Sequence, residues 1–172
     1  MGLAQIQSSE VTSSSVTQVQ LTGINDDSVY LVVVLNTRSD NDNSDFYLNY
    51  IKASDGSVDT TANYDFASYG LYSAGTFQSN SQQNANNQKV MYARGLNAEK
   101  SNALIYLYNT FSSSSPSFNT VEAVGLNYAE QTYGEQGGGT HTVNQSNSGV
   151  SFSWENTGDF SIGSKFILYK VV

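Results

Sequence analysis

His141 is the only histidine of the chain, and it follows a run of three glycines, Gly137 to Gly139. An imidazole beside a glycine-rich turn has the chemistry of a general base or of a metal ligand. A transition-metal site is disfavoured, because the chain has no second histidine and no cysteine. A Ser-His-Asp triad would lack the usual Gly-x-Ser-x-Gly elbow. We therefore interpret His141 as a structural residue or as part of an exposed strand.

A second candidate is the acidic segment from Asp40 to Asp45, which also contains Asp42 and Ser44. Alternating carboxylates are typical of calcium loops, because a hard cation prefers several oxygen ligands. The segment lacks the glycine at the sixth position and the glutamate at the twelfth that such a loop uses. A solvated hairpin loop is favoured, weak calcium binding by this loop is left open, and no metal site is predicted.

The remaining acidic and glycine-rich features do not indicate a reaction. Glycoside hydrolysis needs two carboxyl groups across a cleft. No spacing selects a pair among four of the glutamates, Glu122, Glu130, Glu135 and Glu155. The glycine run is not followed by Lys and Ser or Thr at the spacing of a phosphate loop, so it is interpreted as a turn. The sequence predicts no catalytic residue, no cofactor and no enzyme.

Aromatic residues cluster between Tyr64 and Phe77. Packing between strands is the favoured interpretation. The alternative is a recognition surface, because tyrosine combines a large apolar area with a polar group and is enriched at interfaces. That alternative predicts ligand or partner contacts at Tyr64, Phe66, Tyr69 and Tyr72. Phe152 and Trp154 alternate, so they share one face, and they are predicted in the core.

Composition limits the partners. The 172 residues favour one domain. A net charge of −8 with seven Lys and Arg excludes binding to a phosphate backbone and disfavours an anionic membrane surface. Only 13% of residues are charged, so the polar surface consists mainly of Ser, Thr, Asn and Gln, which suits contacts with proteins or sugars. No signal peptide is recognised and no apolar run approaches 18 residues, so membrane insertion is not predicted.

Short apolar and aromatic runs separated by turns predict about nine or ten strands and almost no helix. The fold class is therefore all-β, an antiparallel β-sandwich that is jelly-roll-like. Residues 1–15 are predicted to form a flexible N-terminal arm, and residues 16–172 a single β-sandwich domain. Residues 64–75 are interpreted as an irregular strand or a helical turn. Residues 80–88 are interpreted as a solvated loop.

The last strand is apolar on both faces. Phe166 and Leu168 point one way, and Ile167, Tyr169 and Val171 point the other. A strand of a sandwich has one face inward, so the second face is expected to meet another subunit or a covering loop. Ile167, Tyr169 and Val171 are therefore the predicted oligomer interface.

Several segments together resemble a known module. In chain order they are TGI, YDFASYGLYSAG, ALIYLYN, GGGTHTV, GVSFSW and GSKFILYKVV. They are similar to a β-sandwich module of tailed-bacteriophage virion proteins, found in tail fibres, baseplates and capsid surfaces. Members resemble jelly rolls and end in Gly-x-Phe-x-Leu-Tyr-Gly. Here Gly163, Phe166, Leu168 and Tyr169 match that ending, with one extra residue after the glycine and Lys170 in place of the last glycine.

The resemblance implies a structural role in the virion, with other virion proteins as partners and no catalytic residues to transfer. The expected function is a surface component of the tail fibre or baseplate that takes part in host attachment and contacts a host surface glycan. Two alternatives remain: a capsid decoration protein that stabilises the shell, and a free lectin-like carbohydrate-binding domain. A homo-oligomer is expected, and its three-fold symmetry rests on the resemblance alone.

Overall fold

A computed structural model describes residues 2–41, 44–93, 100–126 and 131–172. Within these ranges there are twelve strands and one 3-10 turn (Glu155–Thr157). The strands are β1 (Leu3–Glu10), β2 (Gln18–Thr22), β3 (Tyr30–Thr37), β4 (Ser44–Lys52), β5 (Tyr64–Tyr72), β6 (Phe77–Ala85), β7 (Gln88–Ala93), β8 (Ser101–Tyr108), β9 (Ser117–Leu126), β10 (Thr132–His141), β11 (Asn147–Trp154) and β12 (Lys165–Val171).

The strands form two antiparallel sheets that pack as a sandwich. One sheet has the order β1-β12-β3-β8-β9-β10-β5-β6, and the other has the order β2-β11-β4-β7. The predicted all-β sandwich is therefore confirmed. None of the described residues forms a helix long and apolar enough to cross a membrane.

Strand order identifies a jelly-roll core with two insertions. If β5, β6, β9 and β10 are set aside, the remaining strands run β1-β12-β3-β8 and β2-β11-β4-β7. Strands that follow one another in this set of eight, such as β1 and β2 or β11 and β12, lie in opposite sheets, except β4 and β7, which pair within the smaller sheet. The pairs β5–β6 and β9–β10 are hairpins inserted between core strands, and both extend the same sheet.

The core lies between the sheets and is rich in aromatic rings. Phe46 stacks on Phe152 with ring centroids 5.4 Å apart, and Phe166 lies 5.4 Å from the same Phe152 ring. Trp154 and Phe160 complete this centre, and all five side chains are buried. The prediction that Phe152 and Trp154 share a buried face is confirmed.

The predicted N-terminal arm is a strand in the structure. Leu3–Glu10 pair with β12 along the edge of the eight-stranded sheet, and Gly2 and Val172 exchange two backbone hydrogen bonds. Sequence patterning missed this strand because its side chains are mostly exposed, so they carry no apolar alternation. Backbone hydrogen bonds, rather than side-chain burial, hold it in place.

Two further predictions are corrected. Residues 80–88, predicted as a loop, belong mainly to β6 and to the start of β7, because polar side chains are tolerated on an edge strand such as β6. The glycine run is not a turn but lies within β10, paired on both sides. The last two strands lie in different sheets, β11 in the smaller one and β12 in the larger one.

Candidate functional site

A groove of about 840 Å³ opens on the outer face of the eight-stranded sheet, the face turned away from the smaller sheet. Its floor crosses four adjacent strands. Thr120 of β9 lies opposite Gly138 of β10, Gly138 lies opposite Ala67 of β5, and Ala67 lies opposite Ser81 of β6. Side chains directly opposite one another in a sheet point to the same face. Because all four residues are small, their side chains rise little above the backbone of the sheet.

A second cross-strand row forms one wall of the groove. Tyr108 lies opposite Phe118, Phe118 opposite Thr140, and Thr140 opposite Asp65. Phe118 is 41% exposed, while its neighbours along β9 on the opposite face are buried. The row therefore presents two aromatic rings at one end and a hydroxyl and a carboxylate at the other.

The glycine run allows three strands to approach closely beneath the floor. A Cβ atom on Gly138 would lie 2.4 Å from the backbone oxygen of Asn119. A Cβ atom on Gly139, which faces inward, would lie 2.3 Å from the side-chain oxygen of Gln88. Glycine inside a strand commonly marks such a close approach. The glycine run thus lets β10 pack closely against the residues beneath the groove.

Buried amides support the floor from the inner face. The Gln88 and Asn119 carboxamides exchange two hydrogen bonds, each 2.6 Å long, and Asn119 Nδ2 donates to the Tyr50 hydroxyl at 3.3 Å. Burial raises the pKa of Tyr50 above its usual range, so the hydroxyl stays neutral. Polar groups buried in this way must be paired, and each of these has a partner.

Asp65 is held in a fixed orientation at the end of the wall. Its Oδ1 accepts a hydrogen bond of 2.8 Å from the backbone N–H of Asn84. Asn84 has a φ of 52°, in the left-handed region that asparagine tolerates. The β5–β6 register shifts at this point, so a bulge in β6 brings the Asn84 N–H to the carboxylate.

The groove combines the groups that recognise a sugar. A pyranose ring has an apolar C–H face that packs on an aromatic ring, and hydroxyl groups at its edge that pair with carboxylate, amide and hydroxyl groups. Phe118 and Tyr108 offer rings, and Asp65, Thr140 and Gln83 offer polar partners along the same groove. Concave sites with a few placed polar groups are where small ligands bind.

His141 lies on the inner face of β10, and it is completely buried. Its Nε2 lies 3.1 Å from Oδ2 of Asp59, and its ring contacts the rings of Tyr50 and Tyr64. Burial lowers the pKa of His141, and the attraction of Asp59 offsets this effect only in part. A substrate cannot reach this imidazole, so its structural interpretation is the one that the geometry supports.

Asp59 is the centre of this buried cluster. It also accepts hydrogen bonds from the Thr61 backbone at 3.0 Å and from Gln145 Nε2 at 3.2 Å. Burial raises the pKa of Asp59, but hydrogen bonds from Thr61 and the neighbouring His141 outweigh it and hold the pKa below its usual range. The pair ties the segment between β4 and β5 to the end of β10.

A second buried carboxylate, Glu135, also lies on the inner face of β10. It accepts hydrogen bonds from the Tyr133 and Ser68 hydroxyls and, at 3.2 Å, from Asn80 Nδ2. Burial, followed by the nearby Glu135, raises the pKa of Tyr133, so this hydroxyl stays a donor. The cluster joins the inserted hairpins to each other.

The four aromatic residues predicted as ligand contacts do not form one surface. Strand alternation turns Tyr64, Phe66 and Tyr72 toward the inner face and Tyr69 toward the outer face. Tyr64 is completely buried, and its hydroxyl donates to the Asp59 backbone oxygen at 2.8 Å, so it is a core residue and not a surface contact. Tyr69, 62% exposed, lies on the outer face but outside the groove lining.

The alternation predicted for the last strand is present. Phe166 and Leu168 are buried in the core, whereas Ile167, Tyr169 and Val171 lie on the outer face of the larger sheet. Ile167 is only 9% exposed, and the other two are half-buried. Their role as an oligomer interface stays a prediction.

The acidic residues singled out in the sequence lie apart. Asp40 Oδ1 accepts the Asp159 N–H at 2.7 Å, Asp45 pairs with Lys89 at 2.8 Å, and residue 42 lies outside the described ranges. Of the four glutamates, residue 130 also lies outside those ranges. Glu135 is buried, and the other two lie on β9 and in the 3-10 turn. No set of three or more His, Asp or Glu side chains in the described part of the chain is arranged to hold a metal ion.

Of the residues that line the groove, sequence reasoning names Phe66 alone as a contact, and it misses the residues of the wall. Tyr108, Phe118, Thr140 and Asp65 come from four different strands, and only the register of the sheet places them in one row. The available signal was the alternation of β8 and the first part of β9, in which buried residues alternate with exposed or half-buried ones.

Comparison with known proteins adds no family to this description. A scan against protein-family models finds no match to the chain, and a search of curated proteins finds none either. The function is therefore inferred from the residues and geometry of the chain itself.

Proposed function

We propose that this protein is a non-enzymatic surface component of a bacteriophage virion, in the tail fibre or baseplate, that binds a host surface glycan through the outer-face groove. The observation that carries the glycan part is the row of Tyr108, Phe118, Thr140 and Asp65 beside a floor of small residues. Aromatic rings and hydrogen-bonding groups on one rigid sheet suit a ligand that is apolar on one face and polar at its edge.

The position of the groove supports a binding role. Its floor and wall belong mostly to β5, β6, β9 and β10, the strands added to the eight-stranded jelly-roll core. A fold hosts different functions through sites grafted onto it, and inserted hairpins are a common place for such sites. The insertions widen one sheet and leave the order of the core strands unchanged.

The virion part of the proposal has a different support. It rests on the sequence resemblance described above, together with a strand order that agrees with a jelly roll. The capsid decoration alternative would gain from a free N-terminal arm that docks on a neighbouring subunit, and it has less support because Leu3–Glu10 pair with β12 of the same chain. A free lectin-like domain would share the groove and differ only in its location.

Glycan binding is tested first with the purified chain on a glycan array, followed by calorimetry with the best ligand. Phe118→Ala should weaken binding about tenfold, which corresponds to about 1.4 kcal/mol, because the stacking ring is lost. Tyr69→Ala is the matched control, since it removes an exposed aromatic ring of the same sheet face outside the groove. Loss of binding in the Tyr69 variant and not in the Phe118 variant would contradict the assigned site.

Two further measurements test the remaining parts of the proposal. The bound oligosaccharide should be recovered intact after prolonged incubation, because no acid–base pair of side chains is proposed at the groove. Antibodies raised against the chain should label the tail or baseplate of particles in electron micrographs. Cleavage of the glycan would contradict the non-enzymatic role, and label on the capsid shell would favour the decoration alternative.

A further inference from the structure

The described residues that line the groove carry a negative charge and no positive charge. Among the described residues that line it, Asp65 is the charged one, and the others are aromatic, hydroxyl, amide or small residues. The described part of the lining includes no lysine or arginine, and the chain as a whole carries a net charge of −8. An anionic ligand would therefore meet a carboxylate without a cation in the groove to compensate it.

We propose that the groove selects uncharged oligosaccharides and that Asp65 is the residue that rejects acidic sugars. This inference rests on the proposed glycan binding and adds the class of sugar to it. Asp65 suits the role because the Asn84 N–H fixes its carboxylate through Oδ1, so the side chain cannot easily swing away from an approaching anion.

The same carboxylate contributes to binding when the ligand is neutral. A carboxylate accepts hydrogen bonds only, and charge-assisted bonds from hydroxyl groups are stronger than neutral ones. A sugar carboxylate in the same place has no proton to donate at neutral pH, and it adds repulsion between like charges. A neutral sugar thus gains a hydrogen bond to the Asp65 carboxylate, whereas an acidic sugar lacks this bond and is repelled by the same carboxylate.

The test compares matched pairs of probes by calorimetry: a neutral oligosaccharide that the chain binds, and the same oligosaccharide with one sialic acid or uronic acid added. The native chain should bind the neutral member at least about tenfold more tightly at low salt, and the ratio should shrink as salt screens the charges. Asp65→Asn keeps the side-chain oxygen that accepts the Asn84 N–H, and it should reduce the ratio to within about threefold.

Asp27→Asn is the matched control. It removes one exposed carboxylate in the turn between β2 and β3, outside the groove, and should leave the ratio unchanged. Equal binding of both probes by the native chain, or an unchanged ratio in Asp65→Asn with a native melting temperature, would overturn the inference while glycan binding stands. A native chain that binds no glycan at all would overturn the proposed function together with it.

Discussion

Replacing His141 with glutamine should remove a pH dependence of stability that this one residue creates. His141 is completely buried beside Asp59, and burial lowers the pKa of its imidazole. It is the only histidine, so it is the one side chain with an ordinary pKa between 5 and 8. Glutamine retains a nitrogen that can donate to Asp59 but has no titratable ring.

The direction of the effect follows from proton uptake. Below pH 6.5 the imidazole of the unfolded chain takes up a proton, whereas the buried imidazole of the folded chain resists it until its lower pKa is reached. The unfolded state then binds more protons, so the free energy of unfolding falls as the pH falls. One proton corresponds to at most about 1.4 kcal/mol per pH unit, which sums to at most about 2 kcal/mol between pH 7 and pH 5.

Asp59 acts in the same direction at lower pH. The pKa of its carboxyl is held below the usual range, so its contribution to stability is present above about pH 4, the unfolded value, and is lost as the pH falls through the folded pKa. Acidification from pH 7 to pH 5 therefore reports mainly on His141. Any further loss of stability below pH 4 includes the contribution of Asp59.

Urea unfolding at half-unit steps between pH 7 and pH 5 measures the effect by linear extrapolation. The native chain should lose stability across this range, and His141→Gln should be nearly flat, even if its stability is lower throughout. NMR titration of the single imidazole gives the folded pKa independently. Equal slopes for both proteins, together with an imidazole that titrates near 6.5 in the folded chain, would refute the reasoning.

The other predictions concern the sheet, its first strand and its outer face. Gly139→Ala should lower the free energy of unfolding by about 1–3 kcal/mol, because its Cβ would lie 2.3 Å from Gln88, whereas Gly134→Ala on the same strand meets its nearest atom at 3.7 Å and should be milder in urea unfolding. Removing residues 2–10 should lower the melting temperature, because β12 loses one of its two partner strands and keeps only β3; an unchanged melting temperature would favour a flexible arm. Light scattering should detect an oligomer that Tyr169→Glu shifts toward monomer, and a native chain that is strictly monomeric at high concentration would exclude the predicted interface.

The fold class was accessible from the sequence because the core strands carry their own signal. Residues 29–35 form a continuous apolar run of strand length, and Phe152 and Trp154 share one face, so both segments are recognisable as strands from the sequence. Strands held mainly by backbone hydrogen bonds carry no such signal. Leu3–Glu10 and Phe77–Ala85 lie at the two edges of the larger sheet, where the sequence predicts an arm over residues 1–15 and a loop over residues 80–88.

The candidate site was not accessible in the same way, because it depends on register. Asp65 and Thr140 are 75 positions apart in the chain and become neighbours only when β5 pairs with β10. A shift of one residue in that pairing would turn every side chain of the strand to the opposite face. Composition suggested tyrosines as contacts, but alternation divided them between the core and the surface.

Strand β10 shows why the site and the core cannot be assigned separately. Gly138 and Thr140 point outward and line the groove, while Gly139 and His141 point inward onto the buried amides and Asp59. Each inward contact fixes the height and direction of the outward residue beside it, because successive side chains of a strand leave opposite faces of one backbone. The buried polar groups thus hold the floor of the groove at a defined level, as a preorganised binding site requires.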